Sequence, residues 1–375
     1  MLKFMSYLLE GLCMLVEERL KLIKGIAEEI VTEEELARLL EEKPSPVAYD
    51  GFEPSGLAHL PFGVYRPLLL RDLLKAGVRF KILLADWHAW INNKMGGDLE
   101  KIRLVGEYFI EVWKAAGVDV DKVEFVWASE LVDSSEYWRK VVLIAKHTTL
   151  KRAFRCLTIM GRKEGEMKET AQLLYPMMQC ADIFQLECDM TQLGLDQRRV
   201  NMLAREVGPK IGLWKPVVVS HHMLLGLEGA KTPEGYDEDV DIDIAISSKM
   251  SKSKPQTCIY VHDPPELIAE KIRRAYCPPR QVEWNPILDY AKHIVFRAFP
   301  KMLVERPSKY GGDVEYESYT QLERDYVEGK LHPLDLKNAV TRYIDQLISP
   351  IREHFEKNRR ARQLYEEVSR YEVTR

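Results

Sequence analysis

The chain has 375 residues, too many for one hydrophobic core, and two or three domains are expected. Hydrophobic residues make up 46% and charged residues 30%, the balance of a folded soluble protein, so disorder is excluded as the main state. Lys and Arg number 54 against 58 Asp and Glu; the net charge of −4 excludes a globally basic surface and leaves only local patches for nucleic acid.

The longest uncharged apolar run, Pro216 to Leu227, is well short of the roughly 18 residues that span a bilayer, so no membrane partner is expected. Near the start, Glu10 interrupts a short apolar stretch and no small-residue cleavage site follows, which points to the cytoplasm. Six cysteines, Cys13, Cys156, Cys180, Cys188, Cys258 and Cys277, form neither a CxxC pair nor finger spacing. Reduced thiols and no metal site are the expectation.

Residues 1–13 are set apart from the fold, and 1–31 read as an N-terminal helical extension. Thr32 and Glu35 have the spacing of a capping box ahead of LARLLEEK, which Pro44 and Pro46 end. VAYDGFEPSG reads as a strand entering a turn, GVYRPLLLRDLLKAG as a helix closed by Gly77, and RFKILLAD as a buried strand. The next helix repeats Ile102, Val105, Phe109, Val112 and Trp113 before Gly117, and KVEFVWAS follows as a strand. Strands alternating with long helices predict βαβ units and a parallel sheet. From Glu136 to about Cys180 the pattern is helical and basic; KPVVVS is a further strand, and GAKTPEGYDEDVDIDIAISSKMSKSKPQ a polar loop. Beyond Asp263, expected to cap DPPELIAEKIRRAY, the strands are predicted to stop and the remainder to be helical.

In KMSKS, Lys249 to Ser253, two ammonium groups three apart and separated by small residues suit polyanionic phosphate in a loop able to close; a solvated surface string is the plainer reading. Upstream, EPSGLAHLPFG places His59 where a helix begins and backbone N–H groups attract phosphate, though a cap or surface role fits one histidine as well. Asp182 in YPMMQCADIF shares one helix face with Tyr175 and Gln179, and a carboxylate in an apolar run needs a partner: a ligand hydroxyl or a neighbouring basic side chain. Asp86 and His88 in LLADWHAW end a strand where parallel sheets bind ligands, or serve as local caps.

Together with HTTLKRAFR, DQRRVNMLARE, KIRRAYCP, RPSKYGGD and HPLDLKNAV, these words make the chain resemble class I aminoacyl-tRNA synthetases from about Thr32 to Arg352, most closely tyrosyl-tRNA synthetases of the archaeal and eukaryotic type. The resemblance implies an α/β fold: a Rossmann-like catalytic domain at 32–262, with a helical dimer and acceptor-stem insertion at about 133–175, and a helical anticodon-binding domain at 263–375. It implies tyrosine activation with ATP and Mg²⁺, then transfer to tRNA(Tyr). For tyrosine it implies Tyr49, Gly51, Glu53, Tyr175, Gln179, Asp182 and Gln197. For ATP it implies His59, Gly63, Lys249, Met250, Ser251, Lys252 and Ser253, with Lys249, Lys252 and His59 acting in catalysis. The family's HIGH tetrapeptide reads HLPF here, so Phe62 has no donor for phosphate, and Gly63 is expected to restore close backbone approach.

Lys151, Arg152 and Arg155 form a basic face which the resemblance puts at the acceptor stem, a solvated helix face being the alternative. Asp335 is expected as a helix N-cap, and the resemblance adds that it reads the first anticodon base with His332 and Tyr310. A homodimer is implied, with Val141, Val142 and Ile144 on a face to be covered. Two other readings stay open: a tryptophanyl enzyme, and a non-catalytic tRNA-binding paralogue. The stretch from Glu353 reads as a helical tail of unassigned role.

Overall fold

A computed structural model describes residues 14–162 and 166–371. Its centre is a six-stranded sheet of β1 (Glu29–Val31), β2 (Val47–Phe52), β3 (Arg79–Leu84), β4 (Val123–Trp127), β5 (Met190–Thr191) and β6 (Val217–Ser220). The spatial order is β1-β6-β5-β2-β3-β4, and every neighbouring pair is parallel except β1 with β6. From β2 the chain builds outward through β3 to β4, then returns to place β5 on the other side of β2. The order therefore reverses at β2, and the crevice beyond the strand ends at such a reversal is where open parallel sheets receive ligands.

Helices cover both faces, which is why Phe80, Ile82, Leu83 and Leu84 of β3 are buried as a nearly continuous apolar run. The helix Leu99–Ala115 starts where the Asp98 carboxylate accepts from the Glu100 and Lys101 N–H groups, and it buries Ile102, Val105, Phe109, Val112 and Trp113 at the predicted spacing. Gly106 on that helix is required by contact, since a Cβ there would come within 2.4 Å of the Trp127 ring.

Four local expectations are corrected. Thr32 accepts from the Glu35 N–H, but the Glu35 carboxylate completes no box and pairs with Arg205 and Lys215. The acidic stretch expected as loop contains the helix Val240–Ser248, because Asp239 caps it and Asp243 accepts from the N–H groups of Glu234, Gly235 and Tyr236. Asp263 is not the cap of Pro265–Arg274: Pro264 holds that position and the Asp263 carboxylate accepts from Lys271 Nζ and the Tyr260 N–H. Strands do not stop there either, since β7 (Met302–Val304) and β8 (Val314–Tyr316) pair as an antiparallel hairpin.

The remainder of the C-terminal region is helical. Pro333–Lys357 buries Leu336, Val340, Ile344, Ile348, Ile351 and Phe355 along one stripe. The expected tail is part of the fold: Asn358 caps Arg359–Val368, Arg360 pairs with Glu107, and Tyr365 stacks on His262 with ring centroids 3.9 Å apart. Cys13 lies outside the described residues; the other five cysteines are free thiols. No helix among the described residues is long and apolar enough to cross a membrane.

Candidate active site

The crevice beyond β2 is walled by the helices Asp86–Ile91, Ser135–Lys146 and Tyr175–Gln185. Asp182 has no exposed surface; its Oδ1 accepts from the Tyr137 hydroxyl at 2.8 Å and its Oδ2 lies 3.1 Å from His88 Nε2. Of the two partners expected for Asp182, the structure supplies the basic side chain, together with a tyrosine that the sequence did not single out. Burial opposes charge on His88, yet Asp182 outweighs it and holds the imidazole above its usual range. Asp86 is not the N-cap of its helix, a position Ala85 holds, but accepts from the Trp87 and Ser129 N–H groups at 2.9 Å each; His88 is buried between Asp182 and the Tyr175 ring.

Tyr49 on β2 is 1% exposed, and its hydroxyl has no hydrogen-bond partner among the described residues. Burial first, and then the Asp182 charge, push that phenol well above its usual range, so it stays a neutral donor. Tyr175 donates to Glu53 Oε1 at 2.8 Å, and Asn92 Nδ2 holds both Glu53 oxygens at 2.9 and 3.1 Å. Gln179 Nε2 donates to Gln197 Oε1 at 2.9 Å, so the predicted trio from one helix face does converge on the crevice with Gln197 and Glu53. Gly51, beside them on β2, packs against Leu83. Beneath the site, Asp50 and Arg66 form a buried ion pair at 2.7 Å; burial raises Asp50 to about 6 even against the guanidinium.

The phosphate candidates assemble at one edge of this crevice. His59 bridges to Tyr260, and burial with the ammonium groups of Lys252 and Lys249 keeps its imidazole well below the usual range, hence neutral. Lys252 donates to Ser55 Oγ at 2.8 Å and is pushed down to about 8 by burial and by Lys94. Lys249 ends the helix Val240–Ser248 and is held by Asp196. Met250 is buried and its N–H bonds to Leu224 O, anchoring the loop, while Ser251 and Ser253 lie on its outer side. Gly63 corrects an expectation: it is buried, and a Cβ there would fall 2.4 Å from Val261 Cγ1 and 3.2 Å from Val112 Cγ1, so its small size serves helix packing. Phe62 is core as well, with its ring centroid 4.2 Å from Phe109 and 5.0 Å from Phe52.

The basic helix Leu150–Cys156 carries Lys151, Arg152 and Arg155 on its accessible side. Lys151 is exposed, but Arg152 pairs with Glu206 at 2.9 Å and Arg155 with Glu238 at 2.7 Å, so the face is not simply solvated. In the C-terminal region the cap of Pro333–Lys357 is His332, whose Nδ1 accepts from the Leu334 N–H at 3.1 Å; Asp335 lies in the first turn and is not the N-cap. Tyr310 is 62% exposed, and Arg306 ties its loop to this turn by donating to Gly312 O and Lys330 O. Val141 and Ile144 are buried within the chain itself, contrary to the expected open face; Val142 alone of the three is exposed.

The chain matches the family described as tRNA synthetases class I (W and Y) over residues 41–238 and 243–349. It is 47% identical over 363 residues to tyrosine–tRNA ligase 1, cytoplasmic, of Arabidopsis thaliana, covering 96% of this chain and 90% of that one. A tyrosine–tRNA ligase of Sulfurisphaera tokodaii is 48% identical over 95% of this chain and 97% of its own. Among solved structures, tyrosyl-tRNA synthetase of Pyrococcus horikoshii complexed with L-tyrosine superposes with a TM-score of 0.85 at 43% identity, over 94% of this chain and 100% of that one. A tryptophanyl-tRNA synthetase of Aeropyrum pernix shares the fold at 19% identity, with a TM-score of 0.62 over 92% of this chain and 85% of that one.

The His88–Asp182 pair makes stability pH-dependent with a definite sign. A histidine raised in the folded state contributes its full stabilisation below the unfolded value of 6.5 and loses it as pH rises through the folded value. Urea unfolding of the protein and of His88→Gln should therefore differ more at pH 6 than at pH 9; a difference that does not change with pH would remove the ion pair.

Proposed function

Because the chain belongs to the class I tRNA synthetases of the tryptophan and tyrosine group, we propose that the crevice beyond β2 is its tyrosine-activating site. The chain activates L-tyrosine with ATP and charges tRNA, the activity named for its relatives at 45–48% identity, and the Arabidopsis relatives place it in the cytoplasm. The observation that carries the assignment of the site is the buried Tyr49 hydroxyl, a polar group with no partner among the described residues beside the Asp182 carboxylate. A phenolic hydroxyl entering there accepts from Tyr49 and donates to Asp182, whose place Tyr137 and His88 hold. An indole has one N–H and no acceptor, which disfavours tryptophan.

In this reading the Tyr175–Glu53 and Gln179–Gln197 pairs bind the substrate ammonium group, and Gly51 leaves room along β2. The tyrosine carboxylate attacks the α-phosphorus, the bond to pyrophosphate breaks, and a ribose hydroxyl of the terminal adenosine then takes the tyrosyl group from AMP. No protein nucleophile is needed, so the buried cysteines have no part. Lys249 exchanges Asp196 for phosphate, Lys252 adds its ammonium charge, and neutral His59 offers a hydrogen bond, while the Ser251 and Ser253 side of the loop closes over it. Mg²⁺ arrives with the triphosphate as a substrate ion. Asp50 and Asp196 are taken by Arg66 and Lys249, which suits a metal held by phosphates and water more than a resident cage.

The test is pyrophosphate exchange into ATP with single amino acids. Tyrosine should drive it and tryptophan should not; Lys249→Ala with Lys252→Ala should slow it at unchanged tyrosine affinity, because those charges act on the leaving group. Exchange driven by tryptophan, or tyrosine binding lost with the lysines, would overturn the assignment.

For tRNA, Lys151, Arg152 and Arg155 meet acceptor-stem phosphates, and Tyr310, His332 and Asp335 the first anticodon base, its ring on Tyr310 and its donors on Asp335. With His332 as the cap, Asp335→Asn should cost only about 0.3–1 kcal/mol, the loss of a charge at a helix N-terminus. If the carboxylate reads guanine, charging of tRNA falls while tyrosine-driven exchange holds. Charging that stays equal for guanine and other bases would leave Asp335 a dipole partner only.

A homodimer through residues 133–175 is proposed on a revised surface: Val142, Leu150, Phe154 and Leu174 are 64%, 75%, 37% and 40% exposed within this one segment. Light scattering at micromolar concentration should give twice the chain mass, and Val142→Glu with Leu150→Glu should halve it; a monomer from the start would exclude this interface.

A further inference from the structure

Away from the crevice, two histidines and an aspartate meet where β6 leaves the sheet and the C-terminal helical region begins. His222 follows β6, Asp289 lies on the helix Pro286–Tyr290, and His293 one turn later. One ligand atom from each falls within 4.8 Å of the others. His222 Nε2 is 2.8 Å from Asp289 Oδ1, and His293 Nε2 is 3.7 Å from the same oxygen. The two imidazoles stack with centroids 4.1 Å apart and planes 10° apart, so the Nε2 atoms sit side by side near one carboxylate oxygen, and one ring has to turn about its Cβ–Cγ bond for both lone pairs to meet a single ion.

We propose that His222, Asp289 and His293 form a binding site for a divalent ion of the Zn²⁺ class, joining the catalytic sheet to the C-terminal helices. Bonds of about 2.0–2.2 Å at tetrahedral angles put ligand atoms roughly 3.3 Å apart, and the two measured separations straddle that value. Imidazole nitrogen with carboxylate oxygen favours Zn²⁺ over the hard ions Mg²⁺ and Ca²⁺. The partners behind the three ligands are also in place. Glu28 Oε2 lies 3.5 Å from His222 Nδ1, so the far edge of the ring faces a carboxylate and its Nε2 is left for the ion, the arrangement that orients metal-bound histidines. Asp289 Oδ2 accepts from the Leu225 N–H at 3.0 Å, which fixes the carboxylate and leaves Oδ1 for the ion. The nearby opposing charge, Lys292, is drawn aside over the Tyr319 ring at 5.8 Å.

The ligands keep partial access to solvent, with side-chain exposures of 20% for His222, 15% for His293 and 9% for Asp289. Three protein ligands leave the fourth position to water. Binding releases the proton that otherwise lies between His222 and Asp289. The site also bears on the loop below it, since Leu225 pairs with Lys249 and Leu224 O accepts the Met250 N–H.

The experiment uses the full chain stripped with chelator and titrated with Co²⁺, whose visible d–d bands report tetrahedral nitrogen and oxygen ligation. One equivalent should give the bands, Zn²⁺ should displace it and raise the melting temperature, and Mg²⁺ should do neither. His222→Asn and His293→Asn should each abolish the bands, while Glu28→Gln should keep the stoichiometry and weaken binding about 10–100-fold. Melting of each metal-free variant near that of the metal-free parent shows that the fold is intact. Absence of the bands in the parent protein, bands that persist in both histidine variants, or equal displacement by Mg²⁺ would overturn the proposal.

Discussion

A carboxylate with no exposed surface stands at the reversal of the sheet, and the walls of the crevice depend on how it is satisfied. Unpaired, a buried ion costs several kcal/mol, so Asp182 constrains every element that touches it. Tyr137 brings in the helix Ser135–Lys146 and His88 the helix Asp86–Ile91, each against Tyr175–Gln185. Asp86, two residues before His88, accepts from the Trp87 and Ser129 N–H groups and so joins the start of its helix to the helix Ala128–Val132. The Tyr49 hydroxyl, by contrast, is buried without a hydrogen-bond partner among the described residues, as is His88 Nδ1.

The second buried ion pair supports the first from below. Asp50 and Arg66 are 5% and 3% exposed, and Arg66 also reaches Gln192 O and His221, so β2, β5 and the exit of β6 are tied at their carboxyl ends. Removing either partner leaves a lone buried charge, a cost of about 3–5 kcal/mol. The crevice is thus floored by one ion pair and walled by another, which leaves its side chains little freedom to relax.

Legibility in the sequence followed the range over which each constraint acts. The strand and helix alternation and the shared face of Tyr175, Gln179 and Asp182 depend on spacing within one element and could be read. Tyr137, Asn92 and Arg66 reach the site from elements 45, 39 and 16 residues from their partners, and nothing local marks them. β5 is two residues long and β1 three, too short for a period of two to register. Gly63 was misread because a glycine beside a phosphate motif and a glycine under a packed Val261 look alike in one dimension. Asp335 was misread because the preceding His332 also carries a cap acceptor, and Pro333 at the first helical position lets the histidine take that place.

The two lysine-bearing and arginine-bearing surfaces are joined by one nine-residue helix. Val240–Ser248 runs into Lys249, whose partner is Asp196, and just ahead of it Glu238 and Asp237 hold Arg155 and Arg199. The two ends differ in how firmly they are held. Glu238 and Arg155 are 71% and 40% exposed, so their pair contributes about 0.2–1 kcal/mol and yields readily to another anion. Lys249 and Asp196 are 29% and 13% exposed, where solvent screens less and the attraction is stronger. The start of the helix is therefore the end more easily released, and Lys249 at its far end is the one more firmly held. The loop is thus anchored more firmly at Lys249 and Met250 than the helix is at Glu238.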